Sequence, residues 1–349
     1  MISLQQSQQC SSFQVLNEDE QPEDSISGLS WGTGSQSQSF ACCAWDSTVR
    51  LYDVITDGTP QVKQKTCVNV EYPCVSVSLA SDSGKILAGS IDGSVLQIDT
   101  QNGAITSFPI HTDAVKDVYW LEREGIILSV SYDKTLSARD PREQSGNIAR
   151  LEAKVLCSCL SLDYLVMGMS NSKVKIGKIR DILAGPSTSF CTSDSPFEVD
   201  EQITSVALGE HDLTRFKVGI GSSFGNINVS LYESRTYGEV PLRSQGTFRA
   251  HKSYIPPSVL NVAVHSVQAL GFLPTGENSL YSMGAEGAGY IWNHQSKKKL
   301  QGLGNHGIPI TKAQLRPDGQ YIAYGIGYDW SQGIEGAQKY KTKLFVKRL

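Results

Sequence analysis

Charge is scarce in this chain: Asp, Glu, Lys and Arg make up only 19% of its 349 residues. The formal net charge is −4, which argues against a globally basic nucleic-acid binder while leaving room for a local basic patch. No run of about 18 apolar residues occurs, and no signal peptide is recognisable, so the expectation is a soluble intracellular protein with reduced thiols and no membrane insertion. The eight cysteines include none in CxxC pairs with histidine partners, which argues against a structural zinc. The motifs GxxxxGK[ST], HExxH and HRD are all missing, and the six histidines are dispersed, so neither a catalytic site nor a cofactor site is expected. Helical periodicity is equally sparse.

Glycine, in contrast, is abundant at 32 residues, and hydrophobic residues reach 40%. Short alternating or apolar runs are separated by Ser, Asp, Asn and Gly, the pattern of strands joined by turns. A chain of this length forms one large domain or two smaller ones, and buries enough surface to need no staple.

Several segments share one pattern. The clear copies are AWDSTVRLYD (44–53), SIDGSVLQID (90–99) and SYDKTLSARD (131–140). Weaker ones are MSNSKVKIGK (169–178), GSSFGNINVS (221–230) and GAEGAGYIWN (284–293), and the final segment supplies a seventh. The last residues of the first four copies are spaced by 46, 41 and 38. Each copy reads as strand, tight turn, strand. Asp46, Asp92 and Asp133 stand where a carboxylate can accept turn N–H groups. Cys157 and Cys159 alternate within an apolar run, as strand residues on one face do. A period near 40 with several strands per unit is that of a β-propeller blade. Chance hairpins in a β-sandwich are the competing reading, and three copies in register count against it.

These copies resemble WD repeats, although the eponymous pair is degenerate. In that family a His before the inner strand, the turn Asp, a Ser and a Trp form a hydrogen-bonded network. Here His111 and Asp133 match two of these positions, while Arg139 stands at that of the Trp, so the full network is not expected in this blade. The His111–Asp133 pair reads as structural, because no nucleophile is placed beside it.

The fold expected is therefore all-β, a seven-bladed propeller of WD40 repeats closed by N- and C-terminal strands. Residues 1–24 would hold a closing strand, SFQVLN (12–17), and an acidic linker, EDEQPED (18–24); the propeller would occupy 25–349, with TKLFVKR (342–348) beside the closing strand. The blades are placed at 25–65, 70–107, 110–150, 151–190, 200–240, 260–300 and 305–349. DILAGPSTSFCTSDSPFEVDEQ (181–202) reads as a polar inter-blade loop. The stretch 233–264 reads as an insertion between blades five and six, with Pro256 and Pro257 against a continuous strand.

The closing phrase YIAYGIGYDWSQGIEG resembles, at Ala323, Tyr324, Tyr328, Asp329, Trp330, Ser331 and Gly333, the last blade of the messenger-RNA export propellers of the nuclear pore, the Gle/Rae family. PEDSISGLSW, AWDSTVRLYDV, SYDKTLSARDPR and GTFRAHKS resemble further phrases of that family along most of the chain. Departures include Tyr132 for a Trp, Ala250 for a Cys, and poor copies in blades four and five. The resemblance implies a non-enzymatic adaptor in mRNA export, located in the nucleus at the nuclear envelope and its pore complex, with a cytoplasmic pool also allowed. Its partner would be the acidic GLEBS segment of an FG nucleoporin. The basic positions it carries over are Arg249, Lys252, Lys297, Lys298 and Lys299; Tyr328, Asp329 and Trp330 carry over as structural. The same cations could meet mRNA or a ribonucleoprotein through phosphates, with Tyr254 available for stacking. Two alternatives stay open: a spindle-checkpoint scaffold binding a Bub-type kinase, and a WD-repeat subunit of an unrelated complex.

Overall fold

The turn acids decide where the strands reverse. Asp46 Oδ1 accepts the Thr48 N–H at 2.9 Å and the Thr48 hydroxyl at 2.6 Å. Asp92 Oδ1 accepts the Ser94 N–H at 3.0 Å, and Asp133 Oδ1 that of Thr135 at 2.8 Å. Between acid and donor the chain needs a left-handed residue: Ser47, Gly93 and Lys134 take φ of 61°, 93° and 67°. Gly93 has a second reason to be glycine. A Cβ there would lie 2.3 Å from the His111 carbonyl oxygen, in the loop entering the next blade.

The computed structural model describes residues 12–14, 18–55, 61–80, 84–143, 146–161, 163–185, 190–198, 200–212, 214–234, 242–254, 262–276, 278–328 and 340–349. Strand β1 (Ser12–Gln14) comes first. Blade one is β2 (Ile26–Trp31), β3 (Ser39–Ala44), β4 (Thr48–Ile55) and β5 (Gln61–Asn69). Blade two is β6 (Cys74–Ala80), β7 (Lys85–Ser90), β8 (Ser94–Asp99) and β9 (Ile105–Pro109). Blade three is β10 (Val115–Leu121), β11 (Ile126–Ser131), β12 (Thr135–Arg139) and β13 (Gly146–Arg150). Blade four is β14 (Val155–Ser161), β15 (Tyr164–Met169) and β16 (Lys173–Lys178), then helix α1 (Ile179–Ala184) and β17 (Cys191–Asp194). Blade five is β18 (Ile203–Asp212), β19 (Arg215–Ser222), β20 (Asn226–Glu233) and β21 (Arg243–Arg249). A ribbon of β22 (Lys252–Tyr254) and β23 (Val262–Val264) follows. Blade six is β24 (Val267–Phe272), β25 (Ser279–Gly284), β26 (Ala288–Asn293) and β27 (Lys298–Asn305). Blade seven is β28 (Ile310–Leu315), β29 (Tyr321–Ile326) and β30 (Lys343–Arg348), completed by β1 on the outside of β30.

Seven four-stranded antiparallel sheets thus form a seven-bladed propeller of WD40 repeats, its last sheet sealed by strands from both ends of the chain. Every inner strand breaks register after its first residue: the bulge falls at Ser27, Val75, Lys116, Leu156, Thr204, Gln268 and Thr311. There the strands reach sideways. The Ser27 hydroxyl donates to the Cys74 carbonyl at 2.5 Å, Ser76 to Val115 at 3.0 Å, and Thr204 to Val267 at 2.7 Å, each across to the next blade.

The apolar core is divided in the same way. Seven buried clusters lie one at each blade interface, from Ile26, Trp31, Phe40 and Tyr52 against Tyr321, Leu344 and Val346 between blades one and seven, round to Ala269, Tyr281 and Met283 against Ile310 and Ile322 between blades six and seven. The second strand of each blade is covered on both sides, and β3, β15 and β29 are buried at every residue. The outer strands are not, as the alternating exposure of β5 illustrates.

Two expectations need correction. The segment 181–202 is more than a loop. It follows the start of α1, which tucks Ile179 and Ile182 into the core shared by blades three and four, and it contains β17, where buried Cys191 and Ser193 alternate with exposed Thr192 and Asp194. The stretch 233–264 is not a single insertion either. Its Arg243–Arg249 portion is the outer strand of blade five, which therefore runs to 249 rather than 240. Among the other described residues of the stretch are those of the β22–β23 ribbon; Pro256 and Pro257 lie outside the described residues.

Candidate interaction site

The basic residues singled out in the sequence lie on the rim between blades five and six in two groups, Arg249 with Lys252 and Lys297 with Lys298 and Lys299. Arg249 ends β21, and Lys252 opens β22. Lys297 sits in the β26–β27 turn at φ 57°, with Lys298 and Lys299 starting β27. All five are exposed. The β26–β27 turn is at the opposite end of its blade from the loop carrying Lys252, but Lys297 bridges part of the gap. Its ammonium donates to the Thr247 carbonyl at 3.3 Å, two residues before Arg249. Lys299 lies over the Tyr290 ring at 4.9 Å from its centroid, and Arg249 Nε donates to Asn226 Oδ1 at 3.4 Å. In the ribbon, Lys252 pairs with Val264, and the exposed Val262 and Val264 add apolar surface beside it.

Beneath this rim is a network that the sequence reading missed. His251 is fully buried, with Nδ1 2.6 Å from Glu286 Oε1 and Nε2 2.7 Å from Ser282 Oγ. The Trp292 indole N–H donates to the same Ser282 oxygen at 2.9 Å. This is the complete four-residue arrangement of the WD repeat, with Glu286 in place of the Asp. It fixes His251 between Arg249 and Lys252. Ser, His and carboxylate are connected as in a hydrolase, but Ser282 is 0% exposed and its oxygen is already engaged by the indole, so no substrate carbonyl can approach it. The signal was present in RAHK, thirty-five residues before the Glu of GAEGAG.

Blade three holds the partial version. His111 Nε2 lies 2.8 Å from Ser129 Oγ and Nδ1 2.7 Å from Thr135 Oγ1, with Asp133 Oδ2 at 3.3 Å. Burial pulls the His111 pKa below its ordinary value, and the Asp133 carboxylate only partly offsets this. Asp133 is itself held low: burial pushes its pKa up, but hydrogen bonds from Thr135 and Thr112 outweigh that. The Asp92 pKa is lowered in the same way, burial being overcome by bonds from Ser94 and Ser90. Blade five exchanges the positions. Phe224 stands where the turn acid would be, and buried Glu201, before the inner strand, instead accepts the Ser222 hydroxyl and the Asn226 amide, the latter at 2.8 Å.

In blade seven Tyr328 is buried. Its carbonyl accepts the Ser25 hydroxyl at 2.8 Å, and its ring stacks on Tyr340 with centroids 6.0 Å apart. Asp329 and Trp330 lie outside the described residues. No helix among the described residues is long and apolar enough to cross a membrane.

Comparison with known proteins agrees with this architecture. Residues 13–53 match the family model described as WD domain, G-beta repeat. The mRNA export factor GLE2 of Chaetomium thermophilum is 25% identical over 331 residues, covering 93% of this chain and 87% of that protein. The Poly(A)+ RNA export protein of Schizosaccharomyces pombe is 29% identical over 315 residues, 89% of this chain and 84% of the other. This WD-repeat propeller resembles mRNA export factors. The likeness is not confined to one repeat: the mRNA export factor rae-1 of Caenorhabditis elegans aligns with 94% of the propeller chain, at 22% identity over 338 residues and 86% of its own length.

Proposed function

We propose that this propeller is a non-catalytic adaptor in nuclear mRNA export, docking at the nuclear pore on an acidic GLEBS-type segment of an FG nucleoporin. The observation that carries the reading is the alignment of 93%, 89% and 94% of the chain with proteins named for RNA export. The rim between blades five and six supports a docking role on chemical grounds. Arg249, Lys252, Lys297, Lys298 and Lys299 present an exposed positive edge on a chain of net charge −4. Such an edge speeds and orients the approach of an acidic peptide, while Val262 and Val264 offer apolar contact to hold it.

The test is calorimetric titration of the propeller with a GLEBS-type peptide, beside the charge reversals Lys297→Glu/Lys299→Glu and Arg249→Glu/Lys252→Glu, each checked for folding. One-to-one binding lost in the folded reversals supports the adaptor site. Binding that survives them moves the site elsewhere on the ring. No binding at about 100 μM peptide, weaker than about −5.5 kcal/mol, sinks the nucleoporin reading. A tagged chain at the nuclear rim supports export; one at unattached kinetochores supports the checkpoint scaffold. Retention of an oligo(A) RNA that the same reversals abolish would assign the rim to the ribonucleoprotein.

A further inference from the structure

The seven inner strands surround a channel of about 1010 Å³, and its charge is unbalanced near the bulged ends of the strands. Lys116 is the bulge residue of β10, Asp117 follows it, and Lys312 follows the bulge of β28, from a blade on the other side of the ring. Two ammonium groups therefore share the channel with one carboxylate. That carboxylate is divided. Asp117 Oδ1 is 3.9 Å from the Lys116 ammonium, and Oδ2 accepts the Ser158 hydroxyl at 2.7 Å, itself 2.9 Å from the Tyr119 hydroxyl. Among the described residues, no carboxylate oxygen lies within 4.0 Å of the Lys312 ammonium. The other charges lining the channel, Glu122 and Arg316, sit beyond the opposite ends of β10 and β28, and Arg316 is engaged by Asp318 at 2.8 and 2.5 Å.

From this arrangement we infer that the channel holds a small oxyanion of the phosphate class between Lys116 and Lys312. An ammonium group is a point-charge ligand for phosphate, and two of them facing one carboxylate leave an excess positive charge in the channel. A cation is repelled there. The nearby thiols offer no counter-charge: burial pushes Cys43 and Cys157 each up to about 12, so both stay neutral. The pair is strained in a way that an anion relieves. The Lys116 charge, followed by burial, brings the Lys312 pKa down to about 8, while Asp117 keeps Lys116 protonated against its own burial. A bound anion reverses that shift, so binding near pH 8 takes up protons.

The experiment is thermal unfolding of the whole chain in inorganic phosphate, in sulfate and in sodium chloride at matched ionic strength. Phosphate and sulfate are expected to add a saturable rise in Tm, from binding to the folded state, to the shallow linear rise that their exclusion from protein surfaces gives, and chloride to show no saturable part. In Lys312→Met the saturable part should vanish and the linear part remain, with the exposed lysines of the rim still present. Equal shifts in the original protein and Lys312→Met, or equal shifts from chloride, overturn the site. Should Lys312→Met not fold, sulfate is titrated calorimetrically into the original protein at pH 8 in two buffers of different ionisation enthalpy. Net proton uptake supports the site, because sulfate does not titrate there; absent uptake rejects it.

Discussion

Arg139 occupies in blade three the place that Trp292 holds in blade six. Each stands six residues after its turn acid, and each lies 5.4 Å from a phenylalanine on the outer strand of the preceding blade, Phe108 for Arg139 and Phe248 for Trp292. The indole N–H finds Ser282, but Arg139 Nε is buried without a hydrogen-bond partner. Arg139→Trp should therefore let an indole reach Ser129, which already faces His111 at 2.8 Å. Removing the orphan donor and adding a buried bond should stabilise the fold by about 1 kcal/mol. A higher urea midpoint at unchanged m-value is the expected readout; a lower one means the blades cannot accept the ring.

The blade-six network should be costly to interrupt. His251→Ala leaves Glu286 and Ser282 without their shared partner in a fully buried site, at a cost of about 2–3 kcal/mol. Ser282→Ala removes the acceptor of the Trp292 N–H as well and should cost about 1–2 kcal/mol. Because the two residues touch, their double mutant should be destabilised by less than the sum. Strict additivity in chemical denaturation would mean that the contact contributes nothing of its own.

Acid should weaken the fold in two separate windows. The His111 pKa is lowered by burial, and that of His306 by burial and by the Lys347 ammonium, from an ordinary value of 6.5. The unfolded chain then binds more protons than the folded one as pH drops below 6.5, so stability is present above that value and lost on descending through the folded pKa values. The carboxylates of Asp92 and Asp133 are also lowered, but from 3.8, so their contribution disappears only in stronger acid. Urea midpoints should fall between pH 7 and pH 5, and His306→Gln should flatten part of that slope. A flat profile over this range would sink the histidine account.

Much of the ring was legible because the second strand of each blade is doubly buried and its turns need particular residues. SYDKT announces both a strand end and an Asp-capped turn, and Lys134 at φ 67° shows how far that turn tolerates a non-glycine. The outer strands were harder. RSQGTFR alternates only partly between half-buried and exposed residues, so it reads as polar loop although it pairs with β20 along its length. His251 was visible as a residue but not as the blade-six histidine, because its acid is Glu286 rather than Asp. Lys312 carried no local signal at all. Its significance arises from closure, which brings it into one channel with Lys116 and Asp117, far away in sequence.

Closure itself can be tested at the chain's beginning. Ser12, Phe13 and Gln14 pair with Lys347, Val346 and Phe345, so β1 covers the outer edge of β30. The linker behind it is pinned independently: the Tyr52 hydroxyl donates to the Glu20 carbonyl at 2.6 Å, the Leu344 N–H to Gln21 Oε1 at 2.8 Å, and the Glu23 N–H to Asp46 Oδ2 at 2.8 Å. Deleting residues 1–14 should thus leave the linker in place and strip only the edge. A short ladder is lost, about 1–3 kcal/mol at roughly 1 kcal/mol per bond. The larger effect should be on association, because an uncovered apolar edge strand pairs with other chains. Sedimentation should show concentration-dependent dimers in the truncated protein and none in the full chain. Deleting residues 1–24 removes the three linker bonds too and should lower the urea midpoint further. If both truncations remain monomeric and as stable as the full chain, the ring is held by its six continuous blades and the β30 ladder on β29, and β1 is dispensable.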